Sequence, residues 1–214
     1  MRPSPRPRRV VRRIRRAVAR GLAGGGRAAA LAVAATLAAA SAAHAAPESF
    51  TLDPAHTVPV FAVSHLGLSV QRGMFTRTSG TVVIDRAEKS GRVEVAVDAS
   101  SLETADRLRD RILRGDSWFD VERFPTVSYR AQRIVFDGDV PVAADGELTL
   151  LGVTRPVRLA IRDFRCGTHS LTRRPLCGAE VTATVRRSEF GMSAWLKDVG
   201  DEVTLTIQAE GYRD

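Results

Sequence analysis

From Val58 to the C-terminus the chain is written with a period of two, and that repeat restricts its fold more than any other feature. Val93, Val95 and Val97 fall on one side of an extended run whose other side is Arg92, Glu94 and Ala96. Val203, Leu205 and Ile207 alternate with Thr204, Thr206 and Gln208 in the same way. Successive side chains of a strand point to opposite faces, so each run predicts a strand with one buried and one wet face. Further strands are predicted at residues 58–63, 68–78, 81–85, 126–135, 143–151, 153–164 and 179–187. Pro59 cannot donate to a ladder and points to an edge position or a bend. Gly73 points to a bend or a close crossing of strands. Asp137-Gly138 and Asp145-Gly146 supply turn chemistry near or beside the later strands. So many strands in one stretch define an all-β domain, either a closed barrel or a sandwich.

One segment departs from this period. Leu102, Ala105, Leu108, Ile112 and Leu113 recur at nearly helical spacing, with Ser101 as a cap and Gly115 as the stop. Arg107, Asp110, Arg111 and Arg114 occupy much of the remaining surface. Asp116 then begins a short turn that carries Trp118 and Phe119. Such a helix either lies over an open end of a barrel or packs against its outside.

The beginning of the chain reads differently. Residues 1–27 hold ten arginines and no acid, residues 28–40 are small or apolar apart from Thr36, and Ala43-His44-Ala45 is a small-x-small site. That order describes a secretory signal peptide over residues 1–45, followed by one domain over 46–214. Thirteen apolar residues span only about 20 Å as a helix, too short for a hydrocarbon core of roughly 30 Å, so no stable transmembrane anchor is expected after processing. The pairs Arg8-Arg9 and Arg12-Arg13 leave room for a twin-arginine export route. The expected location is periplasmic or secreted.

The leader also accounts for the basic character of the chain. The formal charge of +8 invites a nucleic-acid partner. Ten of the 32 basic residues lie in the leader and none of the 24 acids do, which leaves 22 bases against 24 acids. The remainder lacks the basic field that a phosphate-backbone binder uses, so nucleic acid is excluded as a partner.

Cys166 and Cys177 both lie in the exported portion. An even count in an oxidising compartment predicts a disulfide, closing a turn that contains Gly167, His169, Ser170 and Pro175. A metal site with His169 as third ligand is the less favoured reading, because no fourth ligand or usual spacing accompanies it.

Several ordered segments carry a resemblance. They are Leu52-Asp53-Pro54-Ala55-His56-Thr57, Val60-Phe61-Ala62-Val63-Ser64-His65-Leu66-Gly67, Val70-Gln71-Arg72-Gly73-Met74-Phe75, Asp110-Arg111-Ile112-Leu113, Trp118-Phe119-Asp120, Phe124-Pro125-Thr126-Val127, Gly146-Glu147-Leu148-Thr149-Leu150-Leu151-Gly152-Val153-Thr154-Arg155-Pro156-Val157 and Arg187-Ser188-Glu189-Phe190-Gly191-Met192. In this order, and over nearly all of residues 50–212, the chain resembles the YceI-like family of secreted or periplasmic polyisoprenoid-binding proteins. The resemblance implies an extended eight-stranded antiparallel lipocalin-like barrel with one or two short helices, enclosing an elongated apolar cavity for an isoprenoid chain. It implies a carrier or storage protein for a quinone, polyprenol or polyprenyl phosphate, with no cofactor beyond that bound lipid. Thr57 stands where serine is usual, and Arg111-Ile112 where a histidine often follows the acidic residue.

Within such a barrel the candidate ligand-binding residues are Phe61, Val63, Phe75, Phe119, Phe124, Tyr129, Leu148, Leu150 and Phe190. Taken singly, each fits ordinary core packing better; their spread along several strands suits a shared interior. His56, His65 and Arg72 flank the strands at a mouth or bend, where they suit a carbonyl, hydroxyl or phosphate oxygen. The plainer reading has His56 bonded to the Asp53 turn and His65 holding the Ser64–Gly67 turn. Ten desolvated chain carbons are worth roughly 8 kcal/mol before ordering costs, so chain length alone can supply affinity.

Three rival functions carry less support. A small hydrolase would use the histidines, but the sequence has no Gly-x-Ser-x-Gly elbow and no His-Glu-x-x-His helix, and no catalytic residue is assigned. A metal or haem carrier would need His56 and His65 to approach one another across strands, with Met74 or Met192 as soft ligands. A structural stress-response module would have a fully packed interior. A homodimer is left open.

Overall fold

The computed structural model describes residues 46–214, and the leader predicted over residues 1–45 lies outside them. Eleven strands form: β1 Glu48–Leu52, β2 Val58–His65, β3 Ser69–Phe75, β4 Thr78–Asp85, β5 Ser90–Asp98, β6 Leu102–Glu103, β7 Thr126–Asp137, β8 Val140–Leu150, β9 Val153–Thr168, β10 Pro175–Arg186 and β11 Val199–Arg213. One helix, α1, spans Arg107–Arg114, and short 3₁₀ turns occupy Ala99–Ser101 and Arg187–Phe190.

Eight of the strands close a ring in the order β1-β4-β5-β7-β8-β9-β10-β11, and β11 pairs back onto β1. Every pairing is antiparallel. Closure removes the free edges that a sandwich leaves exposed, and it settles the choice between the two architectures. The remaining strands, β2, β3 and β6, branch from β11.

The branch exists because β11 serves two partners. Gly211, Tyr212 and Arg213 pair with β1, whereas Val203 to Gln208 pair with β2. β1 and β2 are therefore one path broken by an elbow at residues 53–57. Asp53 builds that elbow: its carboxylate accepts from the Ala55 N–H at 3.0 Å and meets His56 Nδ1 at 2.7 Å. The Asp53 N–H donates to the Glu210 carbonyl at 2.8 Å, and the Thr57 hydroxyl donates to the same carbonyl at 3.0 Å. Pro59 sits just past the elbow, opposite Ile207 but beyond the last β2–β3 pair at Val60, so no partner strand asks for its missing N–H on that side.

β1 was not legible in the alternation, although it completes the ring. Its five residues offer only two inward positions, Phe50 and Leu52, both buried. Burying two such side chains stabilises by about 1.5–3 kcal/mol each, enough to seat a strand too short to predict.

The run predicted at 68–78 is two strands. It breaks at Thr76-Arg77, whose N–H groups turn to the Ser101 carbonyl and hydroxyl. Gly73 lies inside β3 without a bend; a Cβ there would come within 2.3 Å of the Phe61 ring, so the glycine serves a close crossing. Gly146 likewise lies inside β8 and not in a turn, where a Cβ would strike the Arg130 carbonyl at 2.4 Å and the Tyr129 ring at 2.7 Å.

The helix is shorter than its apolar spacing predicts. Asp106, not Ser101, is the N-cap, accepting from the N–H groups of Leu108 and Arg109 at 2.9 Å each. Leu102 is fully buried in β6 opposite Phe75, which holds that stretch extended. Gly115 ends the helix as expected, its N–H bonding the Ile112 carbonyl.

Cys166 and Cys177 are directly opposed in the β9–β10 ladder and joined as a disulfide. His169 in the intervening turn accepts from the N–H groups of Leu171 and Thr172, which gives it a structural role.

Candidate functional site

The inward positions of the barrel do not meet in the middle. They surround a cavity of about 530 Å³, within the usual range of roughly 300–1,000 Å³ for small-molecule sites. All eight barrel strands contribute to its wall, and so do β2, β3 and α1. The faces picked out by alternation point into it: Val93, Val95 and Val97 from β5, and Val203, Leu205 and Ile207 from β11. A Leu, Ile and Val wall of this kind offers dispersion contacts and few hydrogen bonds, so its shape favours an extended apolar occupant.

The helix lies over one end, with Leu108, Arg109, Ile112 and Leu113 on the cavity wall. Arg109 fastens it across the opening by donating to the Thr104 hydroxyl and carbonyl and to Gln71 Oε1 of β3, at 2.7–2.8 Å. Asp110 is buried and accepts from the Thr104 N–H and hydroxyl, at 2.8 and 2.6 Å. Beneath the helix Phe61, Phe75 and Phe119 form a triangle, with centroids 5.4–6.2 Å apart.

Of the residues singled out from sequence, Phe61, Val63, His65, Arg72, Phe75, Phe119, Tyr129, Leu148 and Leu150 lie on the cavity wall. Three do not. Phe190 is fully buried, packed against Trp118, Leu150, Val185 and Met192, which themselves line the cavity. Phe124 is half-buried, its ring against Gly152 and under the Arg123 guanidinium. His56 belongs to the elbow, with its side chain more than half exposed. The positions that sequence reasoning passed over include Phe50, Leu52 and Trp118, whose inward direction depends on the closed ring.

Tyr129 presents its ring and not its hydroxyl. The hydroxyl donates toward the carbonyls of Ala144 and Val157, at 2.9 and 3.0 Å, within the wall. Burial, reinforced by Asp145, pushes its pKa well above the ordinary tyrosine value. The phenol therefore stays neutral and spoken for.

His56 and His65 stand at opposite ends of β2, about 25–30 Å apart for a strand of this length, so they cannot share a metal or haem. Met74 faces solvent and Met192 is packed in the core. Asp53, His56 and Glu210 do approach within 4.8 Å of one another, but the nearest pair is already a hydrogen bond.

That bond gives the elbow a pH window. Hydrogen bonding to Asp53 raises the His56 pKa above its ordinary 6.5, and the same bond lowers Asp53 below 3.8. The His56 contribution is complete below pH 6.5 and lost as pH rises through the raised value; the Asp53 contribution is complete above 3.8 and lost as pH falls through the lowered one. Amide protection at residues 53–57, taken relative to the intrinsic exchange rate at each pH, is expected to be greatest between these limits, and His56→Ala is expected to flatten that protection profile. A profile identical in the two proteins would show that the pair does not hold the elbow.

Arg187 is the functional-region residue with no signal in the alternation. It is buried at 3% exposure on the cavity wall and donates Nε to the Gly200 carbonyl, with its two terminal nitrogens on Met192 and Val199, at 2.8–2.9 Å. Its guanidinium also lies 5.1 Å from the Trp118 ring. Burial lowers its pKa, partly offset by Asp201.

Comparison with known proteins agrees with this geometry. A family model described as YceI-like domain matches residues 50–211. A UPF0312 protein of Pseudomonas aeruginosa is 31% identical over 166 residues, covering 74% of this chain and 82% of its own length. The crystal structure of BcnA from Burkholderia cenocepacia superposes with a TM-score of 0.61 at 23% identity, covering 74% of this chain and 98% of that one. A polyisoprenoid binding domain from Saccharophagus degradans superposes with a TM-score of 0.58 at 14% identity, covering 77% and 98%. At these identities the two structures share the fold with this chain.

Proposed function

The chain belongs to the YceI-like family, and from that premise we propose that it is an exported carrier or storage protein holding one long isoprenoid chain in the barrel cavity. The observation that carries the reading is the cavity itself, an apolar lumen of about 530 Å³ walled by every strand of the ring and capped by α1. The name of the Saccharophagus domain, a polyisoprenoid binder of the same fold, supports the same class of cargo.

The apolar tail runs down the lumen past Phe61, Phe75, Phe119 and Leu148, and the polar head stays at the helix end beside His65 and Arg72. A quinone, a polyprenol and a polyprenyl phosphate all meet that description. Affinity comes from desolvated methylenes, about 0.8 kcal/mol each, and not from a charged anchor. The role proposed is binding, since the wall offers apolar contacts along its length. Residues 1–45 act as the export leader, and the Cys166–Cys177 disulfide fits an oxidising destination.

Mass spectrometry of an organic extract of the folded protein, purified from a lipid-containing bacterial host, tests this directly. The expected result is one isoprenoid per chain. Repeated recovery of empty protein that fails to take up a polyprenol or quinone would overturn the proposal.

A further inference from the structure

We infer that the helix end of the barrel is a docking surface for an anionic phospholipid bilayer, the place where cargo enters and leaves. This rests on the carrier reading for its purpose but on separate residues for its support.

Three segments meet at that end. They are the β2–β3 turn, α1 and the loop after Met192. The Leu66 N–H donates to the Asp198 carbonyl, His65 pairs with Val199, and Arg109 reaches Gln71, so the three are tied together. Each leaves large apolar side chains in water: Leu66 and Leu68, Leu108 and Ile112, Trp195 and Leu196. Leu68 is 85% exposed and Trp195 68%. Among the described residues, the opposite end of the barrel shows only the scattered Val140 and Leu171. A rim of this kind, concentrated at one opening, marks an interaction site and not ordinary surface.

The occupant follows from charge and continuity. Leu108, Ile112 and Trp195 are exposed and at the same time line the cavity, so the rim runs without a break into the lumen. Around it stand the exposed Arg72, Arg107, Arg111 and Lys197. None of the four is in an ion pair among the described residues. The nearby acids include Asp106, committed to capping α1, Asp110, buried and committed to the Thr104 N–H and hydroxyl, and Asp198. Leucine, isoleucine and tryptophan set among arginines suit an interface with anionic headgroups above and acyl chains below. A second copy of this chain would place arginine against arginine across a two-fold axis, which disfavours self-association by this face. No helix among the described residues is long and apolar enough to cross a bilayer.

The test uses protein exported by a host that makes the full chain, so that wild type and variants share one N-terminus. Vesicles of phosphatidylglycerol and phosphatidylethanolamine are compared with vesicles of phosphatidylcholine alone. Wild type is expected to co-sediment with the first set, less so as salt rises, with Trp195 emission moving to shorter wavelength; Trp118 is already buried. Leu66→Asp with Leu68→Asp is expected to weaken vesicle binding roughly tenfold or more. Neither residue lines the cavity, so isoprenoid content is expected to be unchanged. Arg107→Glu with Arg111→Glu is expected to abolish the preference for the anionic set. Failure to bind, binding indifferent to these variants, or a blue shift that needs only higher protein concentration or an added protein partner would overturn the docking surface. Loaded protein that ignores vesicles would sink this inference and leave the carrier standing. Empty protein that still docks through Leu66 and Leu68 would sustain the surface and sink the carrier.

Discussion

Val95→Trp combined with Leu148→Trp is expected to eliminate isoprenoid from the purified protein and to reduce uptake of added polyprenol at least a hundredfold, with the barrel still folded. The two positions flank Tyr129 in one row across the wall, since Val95 pairs with Tyr129 on one side and Tyr129 pairs with Leu148 on the other. Both pack against the core cluster around Phe50 and Ile84, and Leu148 also reaches the cluster of Trp118 and Phe190 and Val95 that of Phe75 and Leu102, so the row crosses the waist of the lumen. Two indoles there would stop an extended chain near the helix end and leave only a few isoprene carbons buried. Losing four or more methylenes at about 0.8 kcal/mol each costs a hundredfold or more in affinity. Overpacking is normally destabilising by about 1–3 kcal/mol, but here the added rings enter open space. Organic extraction with mass spectrometry measures the loss, and far-ultraviolet circular dichroism with thermal unfolding checks the fold. A folded double variant that retains a full complement of lipid would place the cargo outside the lumen.

Arg187→Ala is expected to destabilise the protein by about 4 kcal/mol, lowering the melting temperature by about 10–15 °C. The side chain is buried, and it donates to three carbonyls, that of Met192 in the loop before β11 and those of Val199 and Gly200 at the start of β11. Each orphaned carbonyl costs about 1–3 kcal/mol, and water entering through the open loop recovers part of the total. Arg187→Lys keeps the charge but lacks the planar fork, so it is expected to recover less than half of the loss. Denaturant unfolding of the three proteins provides the measurement. A lysine variant as stable as wild type would show that positive charge, and not the pattern of three carbonyl bonds, is what the loop requires.

The two variants probe different levels of legibility. Val95 and Leu148 belong to runs whose alternation is plain, and the resemblance already implied an interior for Leu148. Arg187 lies in Arg187-Ser188-Glu189-Phe190-Gly191-Met192, a segment noticed for its resemblance, but nothing in its local pattern says that the arginine turns inward. An arginine in a sequence reads as surface, and only the three carbonyls waiting for it reverse that. Phe190 went the other way: an aromatic that suits a shared interior is packed against the wall residues and not on the cavity, because the 3₁₀ turn at Arg187–Phe190 ends the alternation of β10. His56 and His65 look alike as isolated polar residues beside a strand, yet one locks an elbow and the other stands at the cavity mouth.

What the sequence determines by itself is local. Period-two alternation sets which residues share a face of β5 and β11, the glycine at 115 sets where α1 stops, and an even count of two cysteines predicts the disulfide that forms. The tertiary structure decides everything that depends on closure. β1 is only five residues long and becomes a strand because β4 and β11 both offer it an edge. The ring turns the apolar faces inward and leaves space between them, and the helix falls over the opening because Arg109 and Asp110 find partners on β3 and on the segment that follows β6. Alternation says that a face is buried; whether it is buried against side chains or around a lumen depends on the circumference of the ring, which no local stretch of sequence encodes.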